Sequence, residues 1–373
     1  MRQALRLAAR GRGRASPNPM VGAVVVAGQE VVGAGYHRGP GTLHAEIVAL
    51  DQAGDEPRGA VMYLTLEPCT HHGHTPPCAP RVAASGLARV VIASEDPNPR
   101  VAGAGIEALR RAGMQVEVGV LRENENRLNE AYRKYITTGR PFVTLKIAMS
   151  LDGRIATRAG QSRWITGEPA RRLAHRMRRD SDAVLVGVGT VIADDPALTV
   201  RHVRAHRQPL RVVADSRART PADAQLVRSA DASTVVAVTD QAREEDAEKL
   251  RQAGAEVLIM PRRGGRVDLA ALLDELGRRE LSSVLVEGGG GLAASLIEQE
   301  LVDKLIVFIA PKIIGGAEAP GAVAGIGAAA LEQAWPVRVV RSRRIGEDLM
   351  IEGYLRREEP AAHERGGTRI AEG

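Results

Sequence analysis

His44, Ala45 and Glu46 stand at the head of HAEIVALDQA, whose apolar residues recur at helical spacing. At this His-x-Glu spacing one side chain can bind a metal ion while the other stands beside it, above an open coordination position. Glu67-Pro68-Cys69 follows, and then Thr75-Pro76-Pro77-Cys78. One histidine and two cysteines leave a fourth tetrahedral position for water, the arrangement of a catalytic zinc rather than a structural one. Thiolates near helix N-termini gain from the unpaired backbone N–H groups there. Zn2+ lowers the pKa of its water toward about 7. Glu46 can then take the proton, deliver it to a ring nitrogen and help ammonia leave. H-x-E and P-C belong to the signature of nucleobase deaminases, but here eight residues separate the cysteines where that signature has two. The alternative is a pair of incidental cysteines near His71, His72 and His74, which compete as ligands.

A second set of motifs lies in the other half. Lys146-Ile-Ala-Met-Ser-Leu-Asp-Gly153 follows a strand, and Gly187-Val-Gly-Thr190 ends another. Small residues at a strand end let backbone approach a flat cofactor ring. Val286-Glu287 runs into Gly288, Gly289, Gly290 and Gly291 and then into LAASLIEQE. A glycine run between strand and helix is an anion cradle suited to a dinucleotide pyrophosphate. Gly288, Gly290 and Ala293 fit G-x-G-x-x-A, although a Rossmann domain puts that motif in its first βα turn and here it comes late. A glycine-rich helix entry of no function is the competing interpretation.

These residues need elements to hold them. The periodicity predicts a short helical face from Leu5, Ala8 and Ala9, strands over 21–26 and 30–37, a helix over 44–53 and a strand over 60–66. A Pro/Gly/His loop comes next, then a helix over 79–86, a strand over 89–94, a helix over 105–113 and a strand over 115–120. Strands alternating with helices argue for a layered α/β domain. Residues 123–141 form a single polar helix ending at Gly139 and Pro141, which marks the domain junction. The second half starts again with a strand over 142–150. Further strands are expected over 182–187, 210–215, 233–239, 255–260, 282–288, 304–310 and 348–355, with helical patterns between several of them. The polar, Gly-rich residues 358–373 are expected to be disordered.

Composition narrows the classes. The chain has 373 residues, 44% hydrophobic and 26% charged, which fits two globular domains. Its net charge of +6 is carried mostly by arginine, without a block of like charges. At 2% aromatic residues it lacks the stacking platforms of single-strand nucleic-acid binders, so a few arginines devoted to phosphorylated small molecules fit better. MRQALRLAAR lacks the apolar run of a signal peptide, and no 18-residue apolar segment predicts a membrane span. Two closely spaced cysteines near histidines then point to metal rather than a disulfide, and to a cytoplasmic location.

The run LTLEPCTHHGHTPPC, preceded by SPNPMVGAVVV and followed by SEDPNPRVAGAGIEALRRAGMQVEVG, closely resembles the bifunctional deaminase–reductase of bacterial riboflavin biosynthesis, over about residues 1–357. The resemblance implies an N-terminal cytidine-deaminase-like α/β/α domain, residues 1–140, that is zinc-dependent. It implies a C-terminal dihydrofolate-reductase-like α/β domain, residues 141–357, that uses NADPH. The expected reactions are deamination of 2,5-diamino-6-(5-phosphoribosylamino)pyrimidin-4-one and then hydride delivery to C1′, turning the ribosyl chain into ribityl. By the resemblance, His44, Cys69 and Cys78 bind zinc, Glu46 is catalytic and Asn18 lies at the pyrimidine pocket. The cofactor site would include Ala148, Trp164, Thr190, Asp194, Ser216, Gly289, Gly290, Gly291, Leu292, Ala293, Ala294 and Ser295. The substrate site would include Ser162, Arg178, Leu198, Arg201 and Glu287, with Arg178 and Arg201 as phosphate partners. A homo-oligomer through the reductase domain is implied as well. Two departures stand out. The family usually has Arg or Lys where this chain has His74, and Pro/Ser-Thr where it has Gly290 and Gly291. The alternatives are a deaminase with a non-catalytic second domain and a tRNA or nucleobase deaminase.

Overall fold

The valines of GAVVVA form a strand, β1 (Gly22–Ala27), that is buried over its first four residues. The next strand, β2 (Glu30–Tyr36), turns back against it. Two glycines in β2 decide where the first chemical helix sits. A Cβ on Gly33 would lie 2.1 Å from the carbonyl oxygen of Ala49, and one on Gly35 2.4 Å from that of Ala45. Only glycine allows α2 (Ala45–Ala53) to lie this close to the sheet. α1 (Arg2–Ala8) closes over β1 by the same device at Gly22.

The computed structural model describes residues 1–355 except Glu56 and His74. After α2 come β3 (Val61–Leu66), α3 (Cys78–Ala83), β4 (Arg89–Ser94), α4 (Ala104–Arg111) and β5 (Gln115–Val118). The five strands form one sheet in the order β2-β1-β3-β4-β5, antiparallel at β1 and parallel from β3 onward. Its core joins Val25, Met62, Leu64 and Ile92 to Ala49 of α2 and to Ile106 and Leu109 of α4.

The polar segment expected as one helix is two, α5 (Arg122–Leu128) and α6 (Glu130–Thr138), broken at Asn129. The Asn129 side chain brackets Met20, accepting from its N–H at 2.8 Å and donating to its carbonyl at 3.0 Å. A tertiary contact takes precedence there over helix continuity.

The second half runs β6 (Phe142–Ser150), α7 (Glu168–Asp180), β7 (Ala183–Gly187), α8 (Val188–Asp194), β8 (Leu210–Ala214), α9 (Gln225–Arg228), β9 (Thr234–Val238), α10 (Glu244–Gln252) and β10 (Glu256–Ile259). It continues with a small hairpin, β11 (Arg262–Arg263) and β12 (Arg266–Val267), then α11 (Leu269–Arg278), β13 (Ser283–Glu287), α12 (Gly290–Glu298), β14 (Lys304–Ala310), β15 (Val337–Ile345) and β16 (Asp348–Leu355). Among the described residues the large sheet has the order β10-β9-β8-β7-β13-β6-β14-β16-β15. It is parallel from β10 to β14 and antiparallel at β16 and β15. Its central strands are buried on both faces. Leu145, Leu185 and Val286 meet Leu272 and Leu296 on one side, and Val184, Val213 and Val236 meet Leu250 on the other. This is why their sequences are continuous apolar runs rather than alternating ones.

β15 and the β11–β12 hairpin carry no strand signal in the sequence. β15 is an exposed edge strand with four arginines, so it has no buried face to impose alternation. The expected tail, 358–373, lies outside the described residues.

The halves meet through charge. Asp182 accepts the Ser16 hydroxyl at 2.7 Å and the N–H and hydroxyl groups of Ser282 and Ser283, and it pairs with Arg207. On the other side Lys304 lies 2.8 Å from both Glu130 of α6 and Glu352 of β16.

Candidate active sites

The N-terminus of α2 presents His44 and Glu46, the loop after β3 presents Cys69, and Cys78 is the first residue of α3. The ligand atoms of His44, Cys69 and Cys78 all lie within 4.8 Å of one another. Nδ1 of His44 faces the sulfurs, 3.1 Å from Cys78 and 3.5 Å from Cys69. The Cys78 N–H donates to the Cys69 sulfur at 3.3 Å. One imidazole and two thiols are a donor set of the softness that suits zinc, so the residues fit that ion. The Cys69 thiol is pulled down to about 4, first by its hydrogen bond with Cys78 and also by His44. The same contact pushes Cys78 up. Glu46 is buried, and desolvation raises its carboxyl to about 7, where a group can both accept and donate a proton near neutral pH.

Two neighbours hold this arrangement. Nε2 of His44 lies 3.1 Å from the Thr75 hydroxyl. The Cys69 loop is anchored by Glu67, a buried carboxylate that accepts four backbone N–H groups. Oε1 takes those of Gly105 at 2.7 Å and Ile106 at 3.1 Å, and Oε2 those of Gly103 at 3.0 Å and Asp96 at 3.2 Å. The Nδ2 amide of Asn18 donates to Nε2 of His37 at 3.1 Å, and the His37 ring meets that of His44 edge-on at 5.2 Å. Asn18 is therefore one side chain away from the metal ligands.

The second site is a cavity of about 1320 Å³ at the carboxyl ends of the parallel strands, where open α/β sheets bind ligands. Ala148, Trp164, Thr190, Asp194, Ser216, Gly289, Gly290, Gly291, Leu292, Ala293 and Ser295 all line it, as do Ser162, Arg178, Leu198, Arg201 and Glu287. Ala294 lies behind this wall; it is buried, and a Cβ built on Gly325 would come 2.9 Å from its side chain. Gly288 and Gly289 have φ of 77° and 80°, and a Cβ on Gly288 would come 3.1 Å from Thr190. A Cβ on Gly290 would come 2.7 Å from the carbonyl oxygen of Gly321. The glycine run is thus a tight cradle at the entry and first turn of α12, whose first N–H groups lack helical partners. Cradle and volume together fit a dinucleotide.

Two family models match the chain. Residues 1–94 match the cytidine and deoxycytidylate deaminase zinc-binding region, and residues 141–351 match the RibD C-terminal domain. The riboflavin biosynthesis protein RibD of Aquifex aeolicus is 45% identical, covering 94% of this chain and 96% of its own length. That of Escherichia coli is 41% identical over 94% of this chain and 97% of its own. The chain belongs to the RibD family. It is a two-part deaminase and reductase of riboflavin biosynthesis, the first part zinc-binding and the second NADPH-dependent. The structure of Acinetobacter baumannii RibD superposes with a TM-score of 0.85 at 36% identity, covering 95% of this chain and 98% of that one. A Thermotoga maritima diaminohydroxyphosphoribosylaminopyrimidine deaminase/5-amino-6-(5-phosphoribosylamino)uracil reductase gives 0.85 at 35% identity, covering 95% and 97%.

The sequence marks Glu287 and Arg178 as site residues but not their neighbours Lys146 and His175. Glu287 accepts a bidentate hydrogen bond from Arg178 at 2.5 and 3.1 Å and has Lys146 at 3.5 Å. Burial alone would raise the Glu287 carboxyl, but Arg178 and Lys146 outweigh it and hold it at about 2. Arg178 also donates to the Thr199 carbonyl at 3.1 Å, so its fork is occupied, whereas Arg201 reaches into the cavity from an exposed loop. His175 accepts the Arg201 N–H on Nδ1 at 3.1 Å, and burial, then Arg178, lowers it to about 4. Lys146 heads a motif visible in the sequence; His175, inside a helix, has no local signal. Asp194 accepts from Ser162 at 2.6 Å, joining two of the expected site residues. The His74 departure falls on a residue outside those described.

Proposed function

We propose that His44, Cys69 and Cys78 hold the zinc ion of the deaminase and that Glu46 moves its protons. The single observation that carries this is the convergence of the three ligand atoms beside a buried carboxyl raised to about 7. A zinc ion at these ligands supplies Lewis acidity toward water. Glu46 accepts a proton from the attacking water on a carboxylate oxygen and passes it to the ring nitrogen next to the amino-bearing carbon. It then takes the remaining proton of the added hydroxyl and gives it to the amine, so that the C–N bond breaks as the C=O bond forms and ammonia leaves. Asn18 orients the pyrimidine, with His37 fixing the Asn18 side chain. The substrate is 2,5-diamino-6-(5-phosphoribosylamino)pyrimidin-4-one.

The deaminated product is the substrate of the second site. NADPH bound here would supply a hydride for C1′; the C1′–O4′ bond of the ribosyl ring breaks and O4′ takes a proton, giving the open ribityl chain. The glycine cradle and Thr190 hold its pyrophosphate, while Ala148, Trp164, Asp194 and Ser216 line the rest of its path. Arg201 takes the substrate phosphate. Glu287, kept ionised by Arg178 and Lys146, accepts hydrogen bonds from the ribose hydroxyls. Ser162 and Leu198 complete the substrate wall.

The deaminase part takes residues 1–140 and the reductase part 141–357. None of the helices among the described residues is long and apolar enough to cross a membrane. A metal site built on two free thiols suits the reducing cytoplasm. The exposed Val337 and Val339 on edge strand β15 support a homo-oligomer formed through the reductase part. Nucleic acid is not a partner on this reading.

The deciding experiment supplies the diaminopyrimidine and follows both steps. Glu46→Gln is expected to keep zinc and lose deamination, and to retain NADPH oxidation when given the deaminated substrate. Deamination surviving in Glu46→Gln would sink the proton-shuttle role. Wild-type enzyme that leaves NADPH unoxidised on the deaminated substrate would sink the reductase assignment.

A further inference from the structure

The β11–β12 hairpin brings together like charges with no internal compensation. Its turn is Gly264-Gly265, both left-handed with φ of 57° and 74°, the conformation of a tight two-residue hairpin. This register sets Arg263 directly opposite Arg266. Like charges opposite one another on a strand pair are destabilising unless something lies between them. The neighbouring arginines are engaged: Arg262 pairs with Asp240 at 2.8 Å, and Arg219 lies 4.0 Å from Asp215. Among the described residues, Arg217, Arg263 and Arg266 have no carboxylate within ion-pair distance.

All three border the cavity of the second site. The hairpin is tied to the loop after β8 by the Val267 N–H, which donates to the Ser216 hydroxyl at 3.0 Å. Two elements joined by this hydrogen bond therefore contribute three arginines to the cavity wall. The glycine cradle lies after β13, and β8 is two strands away across β7. At normal strand spacing that is roughly 10 Å. A nucleotide whose pyrophosphate rests in the cradle has its adenosine ribose in this range.

We infer that Arg263 and Arg266, with Arg217, form the clamp for the 2′-phosphate of NADPH and so select NADPH over NADH. A phosphate monoester is dianionic near neutral pH and offers three acceptor oxygens, enough to bridge guanidinium forks from both strands and from the β8 loop. The inference rests on the reading of this cavity as the cofactor site.

The test is equilibrium binding of NADPH and of NADH, by calorimetry, to the wild-type chain, to Arg263→Ala/Arg266→Ala and to Arg262→Ala. The hairpin positions are exposed, and a melting curve for each variant separates loss of folding from loss of binding. The double variant is expected to bind NADPH at least tenfold more weakly and NADH unchanged, with Arg262→Ala like wild type. Equal weakening of both nucleotides, or unchanged NADPH binding with a raised KM for the phosphorylated substrate, would overturn the clamp while leaving the cofactor site in place. Wild-type chain that binds neither nucleotide would overturn the cofactor reading and the clamp with it.

Discussion

The Thr75 hydroxyl lies 3.1 Å from Nε2 of His44, on the ring nitrogen that does not face the sulfurs. When Thr75 accepts, the proton sits on Nε2 and the Nδ1 lone pair is left for a metal. Thr75→Val should therefore lower zinc affinity about tenfold or more, the usual cost of removing such an orienting partner. Competition with a chelator measures it, and affinity equal to wild type would show that the hydroxyl does not set the tautomer.

Glu67 satisfies four backbone donors with two oxygens, two residues before Cys69. Glu67→Gln turns an amide NH2 toward N–H groups that need an acceptor. Each buried donor left unsatisfied costs about 1–3 kcal/mol. The variant should melt lower and lose zinc more readily, because the same contacts fix the Cys69 loop. Thermal denaturation and metal analysis check both, and a variant with wild-type melting and zinc content would contradict this anchoring role.

The Arg178–Glu287 pair predicts a pH signature. Glu287 is held at about 2, below its ordinary value of 4.5. Its contribution to stability is thus complete above pH 4.5 and is lost as the pH falls toward 2. Glu287→Gln leaves Arg178 and Lys146 facing each other and should destabilise the fold by about 3–5 kcal/mol at neutral pH, as breaking a buried pair does. Denaturant titrations should show the gap to wild type narrowing below pH 4.5. A gap that stays constant from pH 7 to 3 would mean the carboxylate charge is not what stabilises.

Glu125 predicts the opposite slope. Burial raises it to about 7, and its Oε2 has no hydrogen-bond partner, with Arg133 only at 3.6 Å. The folded state therefore holds a proton that the unfolded chain releases, and stability falls as pH rises from 4.5 through 7. Glu125→Gln keeps the acceptor that takes the Asn129 amide at 2.7 Å and removes the charge. It should stabilise the protein by about 1–3 kcal/mol at pH 8.5 and hardly at all at pH 4.5. Equal melting temperatures of the two proteins at pH 8.5 would contradict the prediction.

His44, Glu46, Cys69 and Cys78 could be read in the sequence because their chemistry is carried by residue type and by the short H-x-E and P-C patterns. The buried strands were legible because both faces of the parallel sheet are covered, so each is an unbroken apolar run such as AVLVG or SVLVE. Tertiary structure alone decided the rest. Asn129 breaks a polar helix because Met20, more than a hundred residues earlier, needs its side chain. β15 became a strand by pairing with β16, since backbone pairing at an exposed edge asks nothing of side-chain pattern. Arg178 and Glu287 were named separately as site residues from the sequence, but their pairing, and the lining of the same cavity by the arginines of the β11–β12 hairpin, join residues remote in the chain. A charge has no meaning for a site until the fold sets its distance from its partner, because Coulomb energy depends on separation and burial rather than on order along the chain.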